Sequence, residues 1–433
     1  MERPIFHLLP ETGWVNDPNG PVFLNGTLHM FYQHNPFGAV WGNMTWGHAA
    51  SPDLVRWRRL PHALRPDMPY DKDGVFSGCC VVRDGLPHIL YTGVYPETVN
   101  LAVGGPDGMG FAKYAGNPVL TGRPGLRGWR DPFVWEEGGG YKMLIGSGDE
   151  DGGFVECYEG GLLNWTALGR VTDAKSLGLP DTMWECPVLM RGNEGLAALF
   201  VSALPGFAAR VLTGALRGGC LEVRGVAPAD LGDCLYAPNI VRHPDGRWLM
   251  FAWQRELGDE SARAAQGWQG MIALPRELYF QDDLLCARPA AEVNTLRAGA
   301  PEDISRPGTH YELDAALRIN GGAAVFEILR RENGECVTLR FDGSGIAIDK
   351  GAFSGGGPRV LMANTRPAAA GSRLRVFLDG TSLEIFVNDR ETLTTRVYPQ
   401  DGCDGFRARA ECGCAFDGTA LYAMGNAYYT HEC

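Results

Sequence analysis

The feature that most restricts what this chain can fold into is a short polar-plus-small element that recurs five times at nearly constant spacing. It reads Asn16-Asp17-Pro18, Phe76-Ser77-Gly78, Arg130-Asp131-Pro132, Glu185-Cys186-Pro187 and Tyr236-Ala237-Pro238. With Asp17, Ser77, Asp131, Glu185 and Tyr236 as markers, the intervals are 60, 54, 54 and 51 residues. Repeats of roughly this length are the mark of four-stranded propeller blades. Downstream of each element a turn signal separates two apolar runs: Asn25-Gly26, Asp84-Gly85, Gly138-Gly139-Gly140, Asn193-Glu194-Gly195 and Asp245-Gly246. Each predicts a β-hairpin. The 59 glycines among 433 residues suit so many tight turns.

The chain therefore reads as all-β, with a five-bladed β-propeller over residues 1–285. Trp268-Gln269-Gly270 is taken as the beginning of the last propeller strand. A short helix at 290–297, followed by Gly299-Ala300-Pro301, Pro307 and Gly308, gives residues 286–310 the composition of a linker. Beyond it, Leu374, Val376 and Leu378 alternate, and after Asp379-Gly380 so do Leu383, Ile385 and Val387. Period-two alternation predicts an antiparallel β-sandwich over 311–433.

Composition excludes several classes. A hydrophobic share of 45% with 21% charged residues supports a large core. The net charge of 39 − 51 = −12, without a basic run, argues against a nucleic-acid partner. No stretch of about 18 apolar residues is present, and Met1-Glu2-Arg3-Pro4 leads straight into ordered-looking sequence. The expectation is a cytoplasmic chain with no membrane partner. The twelve cysteines, among them the adjacent Cys79 and Cys80, Cys412, Cys414 and the terminal Cys433, lack the spacing of a zinc site and are expected to be reduced thiols.

In a propeller, equivalent positions at the start of each innermost strand face one end of the central channel. Asp17, Asp131 and Glu185 would then crowd one point, which is costly unless the acids are used or neutralised. Repulsion between such groups separates their pKa values, so that one carboxyl is ionised while another is protonated. That pair is the equipment of a glycosidase. Trp14, Trp41, Trp46, Phe76, Trp129, Trp184 and Trp268 cluster near the same strand starts and suit the apolar face of a sugar ring. Asn16, Gln33 and Arg130 would supply hydrogen bonds to hydroxyls. Each residue also has an ordinary use: Asp before Pro is a common turn choice, Gln33 and Trp41 fit any blade, and Arg130 can pair with a neighbouring acid. Their joint occurrence at repeat-equivalent positions is what favours a site.

Trp14-Val15-Asn16-Asp17-Pro18-Asn19-Gly20 resembles the signature of glycoside hydrolase family 32, the invertase and fructanase family, and Phe76-Ser77-Gly78, Arg130-Asp131-Pro132 and Trp184-Glu185-Cys186-Pro187 are similar to its other motifs. Thr45-Trp46-Gly47-His48-Ala49, Gly267-Trp268-Gln269-Gly270 and Leu383-Glu384-Ile385-Phe386-Val387-Asn388 extend the likeness over nearly the whole chain. The resemblance implies a propeller plus sandwich and a retaining hydrolase of β-fructofuranosyl units in sucrose or short β-fructans. By the same token Asp17 would be the nucleophile, Glu185 the general acid/base and Asp131 the transition-state stabiliser, with a raised pKa expected for Glu185 and a lowered one for Asp17. Asn16, Gln33, Trp41, Phe76, Ser77, Arg130, Tyr236 and Trp268 would bind substrate. No metal or organic cofactor is implied. Two alternatives share these motifs, a fructosyltransferase that resolves the intermediate with a sugar hydroxyl and a non-catalytic sugar-binding relative. Val188 departs from the family, which often has Asp there.

Overall fold

A computed structural model describes residues 2–368 and 371–429; Cys433 lies outside them. Among the described residues, seven sheets account for nearly all regular structure. Five are built on successive four-stranded antiparallel meanders, three of them carrying one further short strand. Their innermost strands are β1 (Gly13–Leu24), β2 (Gly74–Arg83), β3 (Gly128–Glu137), β4 (Met183–Arg191) and β5 (Leu235–Arg242). Each packs on the next and β5 packs back on β1, so the ring closes as a propeller, blade 1 holding β1 through blade 5 holding β5.

The hairpins fall where the turn signals placed them. Leu24 pairs Thr27 across Asn25-Gly26, and Arg83 pairs Leu86 across Asp84-Gly85. All four turn residues have positive φ, between 51° and 80°, as a two-residue hairpin matched to strand twist requires. Glycine has a second use that the turns did not reveal. A Cβ on Gly146, in the second strand of blade 3, would stand 2.3 Å from the Trp184 carbonyl oxygen on β4. Neighbouring blades therefore approach backbone to side-chain-free backbone near the axis.

Ring closure corrects one expectation. Trp268-Gln269 does not begin the last propeller strand; it runs parallel to β1, pairing Gly13 with Trp268 and Trp14 with Gln269, while Met271 and Ile272 pair with Trp253 and Gln254 of blade 5. Residues 268–272 thus stitch blade 5 to blade 1. The outer strands of blade 5 are Arg276–Gln281 and Leu284–Pro289, the latter running past residue 285. The segment expected as a short helix is a 3-10 helix, Ala291–Leu296.

The remaining two sheets, of six and five strands, sandwich a core that includes Leu313, Phe326, Leu339, Val376 and Ile385. In β6 (Ser382–Val387) all six residues are buried, because the face opposite this core packs on the propeller. Glu384 lies on that second face. It accepts hydrogen bonds from His7 Nε2, Gln254 Nε2 and the Leu274 N–H, and pairs with Arg276, which also binds Asp230. No helix is long and apolar enough to cross a membrane among the described residues. The eleven described cysteines are all free.

Candidate active site

The five repeated elements are β-bulges. In each of β1 to β5 one extra residue is inserted against the partner strand: between Val15 and Pro18, Phe76 and Gly78, Arg130 and Phe133, Glu185 and Val188, and Tyr236 and Asn239. A bulge re-aims side chains and tolerates proline, since the ladder hydrogen bond is already interrupted. The prolines therefore sit at bulges inside the strands and not at their first residues. Asp131, Cys186 and Ala237 adopt the left-handed conformation there, with φ of 64°, 46° and 47°. Each of their N–H groups, freed from the ladder, donates into the preceding blade: to Thr92 Oγ1 at 2.9 Å, Asp131 Oδ2 at 2.9 Å and Ser202 Oγ at 3.1 Å.

Bulge register also re-aligns the repeat. Glu185 and Tyr236 correspond to Arg130 and Phe76, one residue before the position shared by Asp131 and Cys186. The acids consequently converge from three register positions, Asp17 one residue after and Glu185 one residue before that of Asp131, and Glu185 stands beside Arg130 and Tyr236.

They meet in a cavity of about 380 Å³ lined by Asn16, Asp17, Gln33, Trp41, Phe76, Ser77, Arg130, Asp131, Glu185 and Tyr236 among others. Asp17 is surrounded by donors. Ser77 Oγ donates to its Oδ2 at 2.7 Å, Asn16 Nδ2 to its Oδ1 at 3.0 Å, and the Cys186 thiol to Oδ2 at 3.6 Å. The same thiol lies 3.5 Å from Asp131 Oδ2. Arg130 donates from Nε and Nη2 to Glu185 Oε1 at 3.2 and 2.8 Å, and Tyr236 Oη donates to Glu185 Oε2 at 2.6 Å. Asn16 is held in turn by Trp14 Nε1, and Gln33 by the Val75 carbonyl.

Three carboxylates against one guanidinium leave the site short of positive charge. Burial pushes the Asp131 carboxyl up to about 7, with Arg130 opposing and Glu185 and Asp17 adding to the rise. Burial also raises Asp17, only partly offset by its hydrogen bonds from Ser77 and Asn16. The expectation of a lowered Asp17 is thus overturned: desolvation outweighs three donors. The Cys186 thiol is held well above its usual range by burial and by the Asp131 and Asp17 carboxylates, so it stays a donor.

Ten of the eleven residues singled out in the sequence line this cavity. Trp268 does not. It packs on Leu9 and Met271 beneath the Arg3 guanidinium, because its strand closes the ring. Trp46, Trp129 and Trp184 are likewise buried, their indole N–H groups spent on the Phe76 carbonyl, on Glu156 and Tyr158, and on Asp181. The exposed aromatic rim is instead Trp41, Tyr95 and Phe207. All three come from connections between the second and third strands of blades 1, 2 and 4. An aromatic residue in that connection was the available signal for Tyr95 and Phe207. Val188 packs on Met190 and Phe200 in an apolar cluster, so no polar group there is left unpaired.

Residues 7–289 match the family described as Glycosyl hydrolases family 32 N-terminal domain, and residues 286–421 match Glycosyl hydrolases family 32 C terminal. A raffinose invertase from Escherichia coli is 34% identical, covering 92% of this chain and 90% of that protein. A sucrose-6-phosphate hydrolase from Zymomonas mobilis is 31% identical over 98% of this chain and 92% of its own length. Among solved structures, a beta-fructofuranosidase from Bombyx mori superposes with a TM-score of 0.81 at 26% identity, covering 99% of this chain and 95% of its own.

Proposed function

The chain belongs to glycoside hydrolase family 32, and from that premise we propose that it is a retaining β-fructofuranosidase that releases terminal β-D-fructofuranosyl residues. Asp17 attacks the anomeric carbon to form a fructosyl-enzyme, while Glu185 protonates the departing oxygen. Glu185, now a carboxylate, takes a proton from water, which attacks the same carbon and frees Asp17. Asp131 steadies the ring and the positive charge that develops on it. The observation that carries this assignment is that Asp17, which accepts from Asn16, Ser77 and Cys186, and Glu185, which accepts from Arg130 and Tyr236, face the same cavity from different blades. One carboxylate is thereby prepared as a nucleophile and the other placed to move a proton.

The lining also ranks substrates. Arg130 is the one cation lining the cavity among the described residues, and Glu185 and Glu97 already occupy it. Three carboxylates and an aromatic rim favour an uncharged sugar such as sucrose over a phosphorylated one. The test is a panel of sucrose, sucrose-6-phosphate, inulin and levan, with products resolved and the anomeric configuration of released fructose followed by NMR. Retention with sucrose as the better substrate supports the assignment; inversion overturns the mechanism. Preference for sucrose-6-phosphate overturns the charge ranking and directs attention to Arg255, whose guanidinium lies 4.1 Å from the Phe207 ring centroid at the rim.

A further inference from the structure

Outside the cavity, a carboxylate that the assignment above does not use stands behind the acid/base. Glu97 lies in the connection between the second and third strands of blade 2, two residues after the rim residue Tyr95. Its side chain is 12% exposed. Oε2 accepts the Trp129 backbone N–H at 2.5 Å, and Oε1 accepts Arg130 Nη1 at 2.5 Å. Arg130 turns its other edge, Nε and Nη2, to Glu185. A chain of contacts therefore crosses four blades, from Glu97 through Arg130 and Glu185 to Tyr236.

We propose that Glu97 is a positioning residue: it fixes the Arg130 guanidinium against Glu185 and neutralises the part of its charge that Glu185 does not. The proposal rests on Glu185 being the acid/base. A guanidinium is a planar fork, so anchoring one edge sets the direction of the other. The two contacts of Glu97, one to the backbone of Trp129 and one to the side chain of the next residue, lock both the origin and the orientation of that fork. The charge argument is separate. Glu185 has to carry a proton when it meets the leaving oxygen, and a bare cation 2.8 Å away favours its carboxylate form. With Glu97 on the opposite edge, Glu185 faces a nearly neutral pair. The other ionisable groups around it are Asp17 from β1, Asp131 from β3, Cys186 from β4 and Tyr236 from β5; Asp17 and Asp131 favour the protonated form, and the Tyr236 hydroxyl hydrogen-bonds the carboxylate. Glu97 prevents Arg130 from overriding the two aspartates.

The test is the pH dependence of kcat/KM for sucrose in wild type, Glu97→Gln and Glu97→Asp, with Asp17→Asn alongside. In Glu97→Gln the alkaline limb moves to lower pH by about one unit, a tenfold loss at pH values on that limb, while KM stays within about twofold. Glu97→Asp keeps the charge and moves the limb by less than half as much. An unmoved limb in Glu97→Gln, or equal movement in both variants, overturns the proposal. If Glu97→Gln does not fold, Glu97→Asp alone decides, since its shorter reach still shifts the limb part of the way and an unmoved limb overturns the role. Asp17→Asn separates the two levels. An active Asp17→Asn defeats the retaining mechanism, whereas an inert Asp17→Asn with an unmoved limb in the Glu97 variants defeats only the role of Glu97.

Discussion

Asp131 makes the site reactive at the expense of stability, and the size of that expense follows from its surroundings. Its carboxyl is 6% exposed as a residue and is pushed from 3.8 to about 7. A group with a raised folded-state pKa binds protons more tightly in the native protein than in the unfolded chain. Its favourable contribution is complete below pH 3.8 and is lost as pH rises through about 7. Ionising it in the fold by pH 8 costs about three pH units at about 1.36 kcal/mol each, or about 4 kcal/mol. Asp131→Asn removes that cost while its amide oxygen can still accept the Cys186 N–H. Unfolding entropy of about 2.1 cal/mol/K per residue makes 4 kcal/mol worth roughly 4 °C in a chain of 433 residues. Differential scanning calorimetry is expected to show Asp131→Asn melting about 4 °C above wild type at pH 8 and about 2 °C above it at pH 5. Sucrose hydrolysis is expected to be lost at both. A variant no more stable than wild type at pH 8, or equally stabilised at both pH values, would refute the account of a desolvated, mutually repelling acid cluster.

Three further outcomes are expected. His7 is sandwiched between Asp379 and Glu384, and although burial opposes its charge these partners raise its pKa to about 9. The resulting stability, about 3 kcal/mol, is present below pH 6.5 and lost as pH rises through 9, so thermal melts of His7→Gln should lack the wild-type decline across that window. Arg276→Met strands the buried Asp230 and Glu384 carboxylates between propeller and sandwich, and urea titration is expected to give a loss of about 3–5 kcal/mol. Its kcat/KM at low temperature should remain near wild type; a large drop there would tie the interface to the cavity. Ser77→Ala removes a donor 2.7 Å from the Asp17 carboxylate, which burial has already raised. The acid limb of kcat/KM should therefore move to higher pH by about one unit, and an unmoved limb would show that this hydrogen bond does not set Asp17 ionisation.

The parts of the site legible in the sequence are those whose chemistry is local. A bulge leaves a small or polar residue beside a proline or glycine on one strand, and a two-residue hairpin favours Asn-Gly or Asp-Gly. Both leave marks within three or four adjacent positions. Asp17, Asp131 and Glu185 were found because they stand at those marks. Trp268, by contrast, carries the same local appearance as Trp41 but packs inward, because its segment pairs with β1, more than 250 positions away in the chain. Tyr95 and Phe207, like Trp41, sit in the connection after the second strand of their blades, outside the five repeated elements, and only closure of the ring turns those connections toward the cavity.

The same division holds for charge. Residue types and spacing determined an all-β chain, five repeated polar elements and a cluster of acids at one end of a propeller. How strongly burial opposes the charge of Asp17 and Asp131 was decided by the tertiary structure alone. Burial of Asp17 and Asp131, the split of Arg130 between Glu97 and Glu185, and the donation of the Cys186 thiol toward two aspartates are relations between blades. Desolvation depends on what surrounds a group in space, and the order of residues along the chain does not encode it locally.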